Sequence, residues 1–272
     1  MKTASEIILH LTGKKNVACP QVANFQTVVW LRRLLTDQNL SLSKLDAILS
    51  AHLGKEVSGL PHKWNSSTVI RRKSVEKVAR VFPGSQEVFY WPLFELLQNK
   101  AISKNRIRIL LRRYRPKEKY YSPVWKFPND EELIDQGRYF PILLESDSDA
   151  LFQRADLHGF TAILGLVRLA EAQRYGHWHQ IHMMNAFRAL PSIAKMQEFS
   201  EHFETIKTAL LNLQSRVITT NTSFGVDWEI INKQIQSTDF EPYRYKRKYD
   251  DATGLYEEPE DPIIYFVDHI LI

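Results

Sequence analysis

Cysteine occurs once in 272 residues, at Cys19, so the chain can form no internal disulfide and suits a reducing compartment. Glycine is also scarce, with ten in all. No Walker-type phosphate loop, Gly-x-Gly-x-x-Gly or Gly-x-Ser-x-Gly occurs, so the common nucleotide-binding and serine-hydrolase signatures are missing. Neither His-Glu-x-x-His nor a CxxC pair is found, and one thiol cannot furnish a structural zinc site. No apolar run reaches the ~18 residues that span a bilayer. The opening MKTASEIILHLTGKK lacks a signal-peptide core and cleavage site and reads as an amphipathic helix over 4–11. A cytoplasmic protein with no membrane contact is expected.

Acidic residues are few in the first half. Residues 1–125 carry 22 Lys and Arg against 8 Asp and Glu, a balance of +14; residues 126–272 carry 14 against 23, a balance of −9. A basic half favours a polyanion, because each neutralised phosphate releases counterions and adds affinity without sequence recognition. Two halves that attract each other would also explain the split.

What is present is mostly helical patterning. NFQTVVWLRRLLTD, residues 24–37, carries apolar residues at helical spacing. Ser41 or Ser43 caps a second helix with Leu45, Ile48, Leu49 and Leu53 on one stripe, and Gly54 closes it in the left-handed conformation. Ser58 is placed to cap a third helix, with Pro61 in its first turn and Leu60 and Trp64 as anchors. At helical spacing behind Leu60, Trp64 belongs in a core rather than against a base. Residues 69–82 follow, with Val75, Val78, Ala79 and Phe82 on one face and Arg71, Arg72, Lys73, Lys77 and Arg80 largely on the other.

Residues 40–85 resemble the Cro/repressor-type helix-turn-helix family of phage and bacterial regulators. The elements that match are Leu49, Leu53-Gly54, Ser58, Leu60 and Lys63-Trp64, with residues 69–82 as the helix behind the recognition helix. The chain differs in one extra residue between Gly54 and Leu60 and in Asn65-Ser66-Ser67 after the Trp, and a second register using Leu45 and Leu49 is open. The resemblance implies base-edge contacts near the start of the third helix, from Lys55, Ser58, Gly59 and His62. It implies phosphate contacts from Lys63, Ser66, Ser67 and Thr68, with Arg71, Arg72 and Lys73 beside them.

Residues 83–103 are dense in aromatic and apolar residues, as in a buried segment tying a small domain to its neighbour. KNRIRILLRRYRPKEK, residues 104–119, is a basic amphipathic helix up to Tyr114, suited to a DNA backbone or an acidic partner surface. Residues 121–145 form a Pro-containing linker. Beyond it, residues 155–175 are apolar on most sides and belong at the centre of a bundle. A helix over 177–190 follows, then another from Pro191 to about Val217 and a short one over 227–236. YRYKRKY, residues 243–249, reads as a strand or loop, and the closing IIYFVDHILI as a docked strand or helix. His177, His179 and His182 line a helix start, and no metal or other cofactor is assigned.

The expected architecture is mainly α. A basic helical domain with a helix-turn-helix spans 1–120, a linker 121–145, and an acidic helical bundle 146–272 serves dimerisation or partner binding. The expected function is non-enzymatic: a bacterial or phage transcriptional regulator that binds double-stranded DNA as a homodimer, with room for a protein partner on the acidic half. The alternative is an adaptor subunit that holds nucleic acid or protein in a mobile-element or phage-defence assembly.

Overall fold

A computed structural model of the chain describes residues 10–11, 20–54, 58–66, 68–112, 148, 151–152, 155–218, 222–239, 248–250, 255–257 and 261–268. It is mainly helical. In order come β1 (His10–Leu11), α1 (Pro20–Asp37), α2 (Leu42–Leu53), α3 (Leu60–Asn65), α4 (Arg72–Val81), α5 (Gln86–Phe89), α6 (Pro92–Leu96) and α7 (Lys104–Arg112). The second half adds α8 (Leu157–Gln173), α9 (Gly176–Ala194), a 3-10 turn (Ser200–His202), α10 (Phe203–Gln214), β2 (Val217–Ile218), β3 (Thr222–Val226), α11 (Trp228–Gln236), β4 (Lys248–Asp250), β5 (Leu255–Glu257) and β6 (Ile264–Asp268). The strands form antiparallel pairs: β1 with β2, β3 with β6 and β4 with β5.

Helix α1 carries two apolar stripes and so faces two cores. Trp30, Leu31 and Leu34 pack with Leu45 and Leu49 of α2, Trp64 of α3, Val75 and Val78 of α4, Ile70 and Phe89. Val22, Phe25 and Val29 join a larger core built with α6 to α11. The cores therefore divide elsewhere than the charge does. Helices α6 and α7, placed by charge in the N-terminal domain of 1–120, bury Leu93, Phe94, Ile107, Leu110 and Leu111 among residues of α8 to α11. The expected linker 121–145 lies outside the described residues.

The centre of the larger core is α8, in which every residue from Gly159 to Glu171 is buried. Gly165 lets α7 come close: a Cβ there would stand 2.3 Å from Cδ2 of Leu111. Asp156 caps α8 by accepting the Gly159 N–H at 2.6 Å, and Asp227 caps α11 through the Glu229 and Ile230 N–H groups at 3.0 Å each.

Local expectations are corrected at two places and decided at a third. Pro191 does not start a helix; it lies inside α9, which continues to Ala194. Proline removes one helical N–H, but burial of Phe187, Leu190, Ile193 and Ala194 holds the last turn against that loss. A turn at 195–199 and the 3-10 segment then separate α9 from α10. His10 and Leu11, expected in a helix, pair as a strand with Ile218 and Val217, a tertiary pairing that overrides local spacing. In the C-terminal segment the strand option holds: Ile264 to Asp268 pair with Val226 to Thr222, and β-branched Ile263 and Ile264 are buried.

The two charge halves do touch. Arg32 of α1 pairs with Glu201, and Arg33 lies 3.3 Å from Glu198. Some of the basic excess is thus met inside the molecule.

Candidate nucleic-acid interface

The α2–α3 pair is set by local chemistry at both ends of the turn. Ser41 accepts the Lys44 N–H at 3.3 Å and starts α2. Gly54, at φ 65°, ends it by returning its own N–H to Ala51 and Ser50. The turn then comes back onto α2. Asp46, nearly buried beside Leu45, accepts the Ser58 hydroxyl on Oδ1 and the Gly59 N–H on Oδ2 at 3.2 Å. Ser50 accepts the Ser58 N–H at 2.8 Å.

This network moves the helix start. Gly59, in the left-handed region at φ 60°, occupies the N-cap that Ser58 was expected to hold. The Ser58 hydroxyl is drawn to Asp46 instead, and it also accepts the Leu60 N–H at 3.3 Å. Ser58 therefore positions α3 from within and does not present its hydroxyl outward. Asp46 is not among the residues that the sequence points to. Its only sequence signal is an acid inside an apolar stripe, and its partners lie twelve and thirteen residues away.

Helix α3 turns Trp64 inward. The ring meets Trp30 edge-on, with centroids 5.6 Å apart, and is buried. His62, Lys63 and Asn65 are left exposed on the other side. The chain leaving α3 folds over the Lys63 carbonyl, which accepts the Ser66 hydroxyl at 3.2 Å and the Thr68 N–H at 3.0 Å. Ser66 and Thr68 are themselves exposed. Farther on, the Ile70 N–H donates to Thr27 of α1, which fixes the entry to α4.

Helix α4 buries Val75 and Val78 and exposes Arg71, at its N-cap, then Arg72, Lys73, Lys77 and Arg80. Glu76 is the one acid among them. The Arg72 guanidinium lies over the Tyr90 ring, 5.3 Å from its centroid. Among the described residues no salt bridge involves Lys63, Arg71, Arg72, Lys73, Lys77 or Arg80. The residues that the sequence singled out here and that are described are thus exposed on α3, α4 and the segment between them, except Ser58, whose hydroxyl is engaged by Asp46, and Gly59, which is taken up in the cap. Lys55 and Ser67 lie outside the described residues.

A second polar cluster lies deep in the larger core. Glu171 of α8 holds Arg168 and Arg216, each at 2.7 Å, and Arg216 reaches Asn99 at 3.2 Å while Arg168 donates to the Lys100 carbonyl. Burial pulls the Arg168 guanidinium down to about 10, against the favourable charge of Glu171. His179 is beside this cluster. Burial first, then the charges of Arg168, His182 and Arg216, lower it to about 3. His182 is lowered to about 3 as well, by burial and His177. Both imidazoles are buried whereas His177 is exposed. Among the described residues no group of three or more His, Cys, Asp or Glu is placed to hold a metal ion. Nor is any described helix long and apolar enough to cross a membrane.

No protein-family model matches the sequence, and no match was found among the curated proteins or the solved structures.

Proposed function

We propose that this protein binds double-stranded DNA in a sequence-dependent way through α2, α3 and α4, and that it regulates transcription. One observation carries the reading. Along α3, the segment after it and α4, His62, Lys63, Asn65, Ser66, Thr68, Arg71, Arg72, Lys73, Lys77 and Arg80 are exposed, with Glu76 the one acid among the described residues 58–81, while Trp64 and Val75 are buried. In a helix-turn-helix docking, α3 enters the major groove and the cations beside it neutralise phosphates. His62 and Asn65 are then the side chains placed to read base edges, since Ser58 and Gly59 are engaged by Asp46. The acidic half serves to dimerise the protein or to hold a partner, and two-fold pairing would give paired half-sites.

Selection of bound duplexes from a random pool tests this. A regulator yields a defined motif, and replacing His62 and Asn65 together with Ala flattens the preference. Replacing Lys63, Arg71 and Lys73 with Ala weakens all sequences alike and lowers the salt slope by about 0.9 for each phosphate that is no longer neutralised. Recovery of no motif, with a steep salt slope, favours the adaptor reading in which nucleic acid is held without sequence choice. Binding to no duplex at low salt ends the regulator reading and leaves only an adaptor that holds protein.

A further inference from the structure

An unbroken line of rings runs through the smaller core from α3 to α4. Trp64 of α3 meets Trp30 of α1 edge-on, with 5.6 Å between centroids. Trp30 meets Phe89 of α5 in the same way at 6.2 Å, and Phe89 meets Tyr90 at 5.4 Å with the planes 88° apart. Tyr90 then carries the Arg72 guanidinium, 5.3 Å from its centroid. Trp30, Trp64 and Phe89 are buried, Tyr90 is half-buried and Arg72 is exposed, so the line leads from the core to the surface.

Polar contacts fix the base beneath Tyr90 as well. The Trp30 indole N–H donates to the Ser85 carbonyl at 2.9 Å and the Gln26 side chain to the Phe89 carbonyl at 2.6 Å, so α1 grips both ends of α5. The Tyr90 N–H returns to the carbonyls of Gln86 and Glu87 at 3.2 and 3.1 Å. Arg72 opens α4. Among the described residues it is the one of the exposed cations Lys63, Arg71, Arg72, Lys73, Lys77 and Arg80 that lies over an aromatic ring. Stacking takes up a face of the guanidinium and leaves its in-plane N–H donors for a phosphate. It also restricts beforehand a side chain that would otherwise give up its rotamer freedom on binding.

We propose that Tyr90 is a positioning residue of the DNA interface: its ring, tied to α3 through Phe89, Trp30 and Trp64, holds the Arg72 guanidinium ready for a backbone phosphate beside the groove that α3 enters. The proposal rests on the DNA-binding reading above and adds to it a residue outside the helix-turn-helix that touches no DNA itself. The recognition helix and one phosphate clamp are then kept at a set spacing by the same line of rings.

The test is a double-mutant cycle with the full chain, read by anisotropy of a fluorescein-labelled mixed-sequence duplex over a salt series. Arg72→Ala is expected to lower the slope of log K against log salt by about 0.9, the share of one phosphate. Tyr90→Leu keeps the charge and loses the platform, so binding about 2- to 10-fold weaker is expected at an unaltered slope. In the Arg72→Ala background the same Tyr90→Leu change is expected to have no further effect. Tyr90→Phe, which keeps the ring, is expected to recover the affinity that Tyr90→Leu loses. Thermal melting checks that each variant is folded. Arg72→Lys, which keeps the charge and loses the planar face, stands in if Tyr90→Leu is not, and weaker binding at an unaltered slope is expected of it. A ring that serves packing alone weakens binding equally in both backgrounds, and that result overturns the proposal. Wild-type affinity in folded Tyr90→Leu, or in Arg72→Lys where it stands in, overturns it too, as does a wild-type slope in Arg72→Ala. If replacing Lys63, Arg71 and Lys73 lowers the slope while these variants behave as wild type, only this inference fails. If neither set alters the slope of a chain that binds, the helix-turn-helix reading fails and this one with it. A wild-type chain that binds no duplex overturns both.

Discussion

The Ser58 hydroxyl donates a hydrogen bond to Asp46 across the turn between α2 and α3, and the Gly59 N–H donates to the other oxygen of the same carboxylate. A nearly buried acid thus sets the pitch at which α3 leaves the turn. The side chains on that helix inherit their direction from the pair.

Asp46→Ala removes the acceptor and leaves two donors facing a cavity. Each donor stranded in this way costs about 1–3 kcal/mol. Both donors are half-exposed and water recovers part of this, so chemical denaturation is expected to show a loss of about 2–4 kcal/mol in all, with earlier hydrogen exchange at Gly59 and Leu60. Asp46→Asn keeps one acceptor oxygen and is expected to lose less. Equal stability of Asp46→Ala and wild type would remove Asp46 from this role.

Trp64→Ala empties a site between Trp30 and α4, and truncating a buried aromatic of this size costs about 3–5 kcal/mol. Trp64→Phe keeps most of the packing and is expected to stay folded with wild-type DNA affinity. A folded Trp64→Phe protein with strongly reduced affinity would mean that the indole meets a base, which its burial argues against.

Features that depend on neighbouring residues were readable from the sequence. Ser41 caps α2, Gly54 closes it, Asp227 adjoins the short α11, and the all-round apolar character of residues 157–170 places α8 at the centre. Features that depend on residues far apart were not. The second stripe of α1 has meaning only once two cores exist to receive it. Pro191 stays helical because of what surrounds it, and His10 becomes a strand because residues 217–218 supply the partner. The outward residues of the candidate interface followed from helical spacing, since exposure is the complement of an apolar stripe. The inward turn of Ser58 required Asp46, twelve residues away. Charge placed α7 with the basic half, but its Leu110 and Leu111 decide where it packs.

Glu171→Gln is expected to be among the most damaging single changes. It leaves Arg168 and Arg216 buried side by side without a counter-charge, and breaking a buried pair from one side costs about 3–5 kcal/mol. The cost is read as a lowered denaturation midpoint. Replacing Arg168 with Met in the Glu171→Gln background should recover part of it, because one of the two uncompensated charges goes as well. Failure of that second change to recover any stability would show that packing, rather than charge, limits this site.

Acid is expected to weaken the fold well above the usual carboxylate range. His179 and His182 are held at about 3 in the folded chain, against an ordinary 6.5, so between those values each is neutral when folded and protonated when unfolded. The unfolded chain then binds more protons, and stability falls as pH falls through 6.5, with a slope that approaches about 1.4 kcal/mol per pH unit for each histidine. His202, lowered by burial and by Arg32 with Glu201 opposing, acts in the same direction. Glu95 and Glu201, whose carboxyls are held below the ordinary 4.5 by Arg106 and Arg32, lose their contribution only at lower pH. Urea midpoints between about pH 7 and 5 therefore isolate the histidines. His179→Gln with His182→Gln should remove most of the slope over that range and leave the share of His202, and an unchanged slope would mean that the two imidazoles already take up protons in the folded protein.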